Sequence, residues 1–171
     1  MSAVNQDMLV DVVNGNDTPV GIIARKDVFR EHVNFRVVHE LIFNSRAELL
    51  IQKLASTHPR HPGYWGSSVA GYLFAGESYQ AAANRRLTQE LGVAGLSMDF
   101  VGKISMGDEG CRKFIAIFTA IHDGPFDFNR DCIEQLEFLS IQQIHAAERS
   151  GMLLFTPTFL RVLAFYESRI Q

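Results

Sequence analysis

Gly71-Tyr72-Leu73-Phe74-Ala75-Gly76-Glu77-Ser78-Tyr79-Gln80-Ala81-Ala82-Ala83-Asn84-Arg85-Arg86-Leu87-Thr88-Gln89-Glu90-Leu91-Gly92-Val93 decides the fold of this chain. Gly71 and Gly76 make a loop whose backbone can approach an anion closely, and the helix beginning near Ser78 turns its positive end toward the same place. Gly92 stops that helix at the position where a left-handed residue is wanted. Tyr79, Ala83, Leu87 and Leu91 recur every four residues and give the helix one buried stripe. Positions 86, 89 and 90 share another face, expected to point away from the core, where Arg86, Gln89 and Glu90 stand. Phosphate is the natural guest of such a corner.

Working outward, Asn14-Gly15-Asn16-Asp17 is a turn leading into a short strand at Val20 to Ala24. Arg36 to Phe43 and Glu48 to Lys53 flank Asn44-Ser45-Arg46-Ala47 and are expected to pair antiparallel. Ala55 to Gly63 holds His58, Pro59, Arg60, His61 and Pro62, a basic loop, since two prolines deny helix and central strand. Asp99 to Met106 and Arg112 to His122 read as strands around a Gly107-Asp108-Glu109-Gly110 turn, the second apolar on both faces and so central. A strand at Ile133 to Leu139 follows. Ser140 with Gln143 forms a capping box closed by Gly151, and Thr156-Pro157 opens a last helix. Strands, one internal helix, more strands and two helices predict an α/β (α+β) fold, a mixed β-sheet packed between helices in one domain over residues 1–171.

The quoted stretch resembles the Nudix box: Gly, five residues, Glu, seven residues, then Arg-Glu-apolar-x-Glu-Glu-x-Gly-apolar. Gly71, Glu77, Arg85, Leu87, Glu90, Gly92 and Val93 match, seven of nine specified positions, and Arg86 and Gln89 depart. Ile42-Phe43-Asn44, Leu49-Leu50-Ile51, Pro62-Gly63-Tyr64-Trp65, Phe155-Thr156-Pro157 and the Arg85-Arg86 pair resemble the branch containing isopentenyl-diphosphate isomerase and related Nudix hydrolases. Isomerase activity is not expected. That chemistry uses a cysteine and a glutamate beside a metal held by histidines and glutamates, and the matching positions are Ala70, Tyr72, Phe35 and the neighbourhood of Cys111 and Lys113.

The resemblance implies a hydrolase of nucleoside-diphosphate-linked or other diphosphate compounds, assisted by Mg2+ or Mn2+ bound to box glutamates. Here Glu77 and Glu90 are the metal candidates, while Glu77 is equally implied as an ion-pair partner of Arg85, and Glu90 stands one turn from Arg86. A guanidinium at 86 changes the local charge by two units, and Gln89 is a weak ligand, so tight metal binding by this helix is not expected. Glu90 is the box candidate for catalysis. Glu109 is the candidate from outside it, with Asp108, Asp131 and Glu134 as alternatives. Lys53, Arg60, Gly71 and Arg86 are candidates for gripping phosphate, with His58 and His61 nearby; for the loop residues an ordinary solvated surface is the competing reading. Trp65 either stacks on a base or fills the core, and His39 reads as a satisfied core histidine. The second functional reading is a Nudix domain that binds a phosphate ligand or a protein partner without turnover, Arg86 standing in for the metal's charge.

Composition narrows the partners. The 171 residues are 47% hydrophobic, with 16 basic and 19 acidic side chains, a net charge of -3 that speaks against nucleic acid or an anionic membrane. No apolar run approaches a membrane span, and no basic start followed by an apolar run marks a signal. Cys111 and Cys132 lie in no metal or redox motif, which suits reduced thiols in a cytoplasmic protein. A small-molecule diphosphate or nucleotide derivative is therefore the expected partner.

Overall fold

In the computed structural model, which describes residues 7–171, a hairpin of β1 (Leu9–Val13) and β2 (Pro19–Ala24) precedes the main sheet. The sheet contains β3 (Phe35–Phe43), β4 (Leu49–Leu54), β5 (Trp65–Gly66), β6 (Val69–Tyr72), β7 (Asp99–Asp108), β8 (Cys111–Ile121) and β9 (Ile133–Leu139). Helix α1 (Tyr79–Leu91) follows β6, and α2 (Ile141–Ser150) and α3 (Pro157–Ile170) close the chain. The order β5-β4-β3-β8-β7 places β3 and β8 inside, parallel to one another from Phe35↔Lys113 to Phe43↔Ile121. β6 adds antiparallel to β3 and β9 antiparallel to β4. The mixed sheet expected from the sequence is the one found.

Side-chain alternation along β3 sets the layers. Val37 and Leu41 pack with Phe159, Val162 and Leu163 of α3, whereas Val38 packs with Ala82 and Ala83 of α1 and Ile42 with Leu87 and Leu91. Trp65 is buried in the α3-side core, so filling the core is its role. Helix ends follow the sequence: Ser78 Oγ accepts from Ala81 N, Gly92 adopts φ 68°, the Ser140–Gln143 capping box is complete, and Thr156 caps α3 ahead of Pro157.

Two local expectations change. The β7–β8 turn is shorter than four residues: Glu109 and Gly110 adopt φ of 48° and 83°, and two successive left-handed residues close the hairpin tightly enough to keep Asp108 paired with Cys111. The buried side of α1 comprises Ala82, Ala83, Leu87, Glu90 and Leu91, with Tyr79 only half-buried. The face bearing Glu90 is thus turned into the protein. It lies against β6, whose outer edge has no neighbouring strand.

The hairpin is tied in by one buried acid. Asp17 accepts from Arg36 Nε at 2.6 Å, Lys103 Nζ at 2.6 Å and the Tyr79 hydroxyl at 2.8 Å, joining β3, β7 and α1. Burial alone would raise its pKa, but hydrogen bonds from Lys103, Arg36 and Tyr79 hold it below the ordinary carboxylate value.

Candidate functional site at the β6–α1 corner

Because β6 pairs only with β3, alternate residues on its free edge carry unpaired backbone groups. Side chains of α1 satisfy them. Arg85 Nη2 donates to Tyr72 O at 2.9 Å, Arg86 Nη2 donates to Ala70 O at 3.3 Å, and Ala70 N donates to Glu90 Oε2 at 3.3 Å. Gly71 lies between these contacts, directly under Arg86. A Cβ on Gly71 would stand 2.2 Å from Arg86 Nε and 2.8 Å from its Cδ. Glycine is required there to let the guanidinium pass.

The loop after β6 does not present the row of open amides that its glycines suggested. Phe74 N donates to Glu77 Oε1, Ala75 N to Leu9 O, Gly76 N to Asp11 Oδ2 and Glu77 N to Phe74 O. Gly76 is needed for its φ of 76°. Positive charge for an anion at this corner therefore comes from guanidinium groups.

The box carboxylates are all engaged. Glu77 takes two hydrogen bonds from Arg85, each 2.8 Å, and one from Phe74 N at 2.9 Å. Burial opposes its ionisation, but the Arg85 contact and then the Phe74 N–H hold its pKa below the ordinary glutamate value. Glu90, 5% exposed, pairs through Oε2 with Arg86 Nη2 at 3.0 Å and through Oε1 with Gln52 Nε2 at 3.1 Å. Gln89 Oε1 accepts from both Arg85 and Arg86, at 3.1 and 3.2 Å. Among the described residues no group of three His, Cys, Asp or Glu side chains is placed to hold a metal. A divalent cation does not fit this arrangement: a guanidinium already bridges Glu90, Gln89 and Ala70 O, and Glu77 is committed to Arg85.

One acid here escaped the sequence reading. Glu40 is fully buried, and neither carboxyl oxygen has a partner. Burial, reinforced by the charge of Glu90 and opposed by that of Arg86, pushes its pKa up to about 9, so it is neutral at pH 7. The signal was present: Glu40 is the lone acid of β3 and shares the inward parity of Val38 and Ile42 that faces α1. Its neighbour His39 points to the other face, where Nδ1 meets Ser67 Oγ at 2.7 Å. Burial, with the charge of Lys113, lowers its pKa to about 3, which makes it the neutral, satisfied histidine expected.

Among the described residues no hydrogen bond or ion pair joins the remaining candidates to Glu90. Lys53 Nζ pairs with Glu134 at 3.2 Å. Arg60 grips Asp108 through two hydrogen bonds of 3.1 and 2.5 Å and reaches Glu109 at 3.6 Å. Glu109 is exposed in the β7–β8 turn and has no hydrogen bond or ion pair with the box among the described residues. Lys113 Nζ shares Asp108 at 2.9 Å and also meets Thr158 Oγ1 at 2.5 Å. At the positions compared with the isomerase, Phe35 and Tyr72 stack with centroids 5.0 Å apart, and Cys111 Sγ faces Val28 O at 3.6 Å. Cys111 and Cys132 are free thiols, and among the described residues no helix is long and apolar enough to cross a membrane.

Comparison with known proteins places this geometry in a family setting. The NUDIX domain profile matches residues 33–159. The chain is 29% identical over 158 residues to the uncharacterized Nudix hydrolase PA4841 of Pseudomonas aeruginosa, covering 92% of each. It superposes on the crystal structure of DR0079 from Deinococcus radiodurans with a TM-score of 0.80 and 26% identity, covering 92% of this chain and 99% of that one. It also shares its fold with the NUDIX domain of Shewanella oneidensis NrtR, solved with ADP ribose: TM-score 0.63, 14% identity, 81% and 89% covered.

Proposed function

Because the chain belongs to the NUDIX domain family, we propose that it takes a nucleoside-diphosphate-linked or other diphosphate compound at the β6–α1 corner and hydrolyses its phosphoanhydride bond. The observation that carries this reading is the Arg86 guanidinium, set between Ala70 O and Glu90 at the site where the family's box would place positive charge. Arg86 is assigned to the ligand's phosphate oxygens as a fixed cation. Glu90, oriented by Gln52, Arg86 and Ala70 N, is assigned to take the proton of the attacking water. Water adds to one phosphorus, the bridging P–O bond breaks, and two phosphate-ended products leave, the released proton passing to solvent. Glu109 stays the second candidate for that proton. The ADP ribose bound by the NrtR domain supports the ligand class. The free thiols agree with a reducing, cytoplasmic setting.

A second reading, ligand binding with little or no turnover, is favoured by the full engagement of Glu77 and Glu90. One experiment separates the two. Phosphate-ended products are assayed from ADP ribose, a dinucleoside polyphosphate, a nucleotide sugar, coenzyme A and NADH, with and without Mg2+ or Mn2+, beside binding of the same compounds. Hydrolysis of one of them, lost in Glu90→Gln, supports the first reading. Binding without products supports the second, and neither binding nor products overturns both.

A further inference from the structure

Phe74 sits in the loop between β6 and α1, 37% exposed, and packs into none of the three apolar cores. Its ring is nonetheless held. The Arg85 guanidinium carbon lies 3.7 Å from the ring centroid, so it covers one face. Arg85 is itself fixed by two hydrogen bonds to Glu77 and one to Tyr72 O. With that face covered, the part of the ring open to water is the opposite face and its rim.

The β1–β2 hairpin extends this surface. Ala75 N donates to Leu9 O at 2.8 Å, and Gly76 N donates to Asp11 Oδ2 at 3.0 Å. Leu9 and Asp11 are two apart on β1 and Ile22 is the cross-strand partner of Asp11, so all three share the hairpin face that Asp11 turns toward the loop. Leu9 and Ile22 are 55% and 62% exposed and, like Phe74, contribute to no core cluster. Scattered exposed apolar side chains are ordinary, but several gathered at one corner mark a contact surface.

The surface is continuous with the phosphate corner. Arg85, under the Phe74 ring, and Arg86 donate to the same oxygen, Gln89 Oε1, at 3.1 and 3.2 Å. We propose that Phe74 is a stacking platform, flanked by Leu9 and Ile22, for a flat aromatic group such as a nucleobase carried by the diphosphate ligand. This rests on the diphosphate reading above and adds the chemistry of the ligand's other end. A ring pinned on one face offers a rigid plane, which a planar group covers without either partner losing much freedom. A flexible alkyl chain would have to be ordered to cover it.

The test titrates the full chain with methylenediphosphonate, α,β-methylene ADP and geranyl diphosphate in EDTA, the methylene bridge preventing hydrolysis of the first two. Wild type is expected to bind α,β-methylene ADP more tightly than methylenediphosphonate. Phe74→Ala is expected to weaken α,β-methylene ADP at least about fivefold, as for one lost base stack, and to leave methylenediphosphonate within about twofold. Phe74→Trp is expected to retain the wild-type preference. Phe100→Ala, at an exposed phenylalanine on β7, is expected to bind like wild type. If Phe74→Ala or Phe74→Leu keeps full α,β-methylene ADP affinity, the platform is overturned and the diphosphate reading stands. Equal losses for both methylene compounds in Phe74→Ala would assign Phe74 to bracing Arg85 and overturn the platform. Tighter wild-type binding of geranyl diphosphate than of α,β-methylene ADP, lost in Phe74→Ala, overturns the aromatic occupant in favour of an alkyl one. A wild type that binds none of the three compounds overturns the diphosphate reading and the platform together.

Discussion

Arg86 lies across Gly71, so close that a single methyl group on the glycine would sit 2.2 Å from its Nε. This contact links the glycine that opens the box to the residue that departs from it. Gly71→Ala is expected to force Arg86 off β6 and to destabilise the protein by about 1–3 kcal/mol, as overpacking does. In a double-mutant cycle with Arg86→Ala, measured by denaturant unfolding, most of that loss is expected to disappear. Additive effects would show that Gly71 serves something other than Arg86.

Glu77 and Arg85 form a two-pronged pair with little exposure. The folded pKa of Glu77 lies below its unfolded value, so its contribution is present in full above the unfolded value of about 4.3 and is lost as pH falls through the folded one. Removing the charge with Glu77→Gln is expected to lower stability at pH 7 by roughly 1–3 kcal/mol, the range for a hydrogen bond to a charged group. The gap between the two proteins should narrow steadily below pH 4. A gap that is flat from pH 7 to pH 3 contradicts the assignment.

Glu40 reverses that sign. Its folded pKa of about 9 is above the unfolded value of about 4.3, so the buried acid is tolerated best below the unfolded value. It becomes a growing burden as pH rises toward 9. Glu40→Gln is expected to gain melting temperature over wild type, by several degrees at pH 8 and by little at pH 4. A constant difference across that range would mean that Glu40 is ionised in the fold.

Restoring both missing box carboxylates tests why a cation does not fit. Arg86→Glu with Gln89→Glu removes the guanidinium that bridges Glu90 and Ala70 O and sets new carboxylates on the same helix face. Mn2+ binding, read by calorimetry, is expected to strengthen at least about tenfold over wild type, since ligand charge tunes such sites. Equal Mn2+ affinity in the two proteins would locate the cation site elsewhere.

The large elements were readable because period and punctuation agree along the chain. Alternation in β3, the Ser78 and Ser140 caps and the glycines at 92 and 151 all match what is found. The site was only partly legible. Arg85 with Glu77 and Arg86 with Glu90 follow from helical spacing. That both pairs cover the edge of β6 depends on which strand lies beside α1, and a local pattern does not contain that information. Arg60 with Asp108, 48 positions apart, is likewise a product of topology. Glu40 was hidden by its surroundings, since an acid among Val, Leu and Ile reads as an interruption of a strand until the helix above it brings Glu90 and Arg86 close.

The central claim is that arginine, and not a box-bound cation, provides the charge that holds a diphosphate at this corner. Pyrophosphate affinity measured in EDTA and again with excess Mg2+, for wild type and Arg86→Gln, tests it most directly. The account predicts that wild type binds in EDTA, that Mg2+ alters the affinity less than about threefold, and that Arg86→Gln weakens binding at least about tenfold, as for a lost charge-assisted contact. Binding by wild type only when Mg2+ is present, with Arg86→Gln unimpaired, would contradict it.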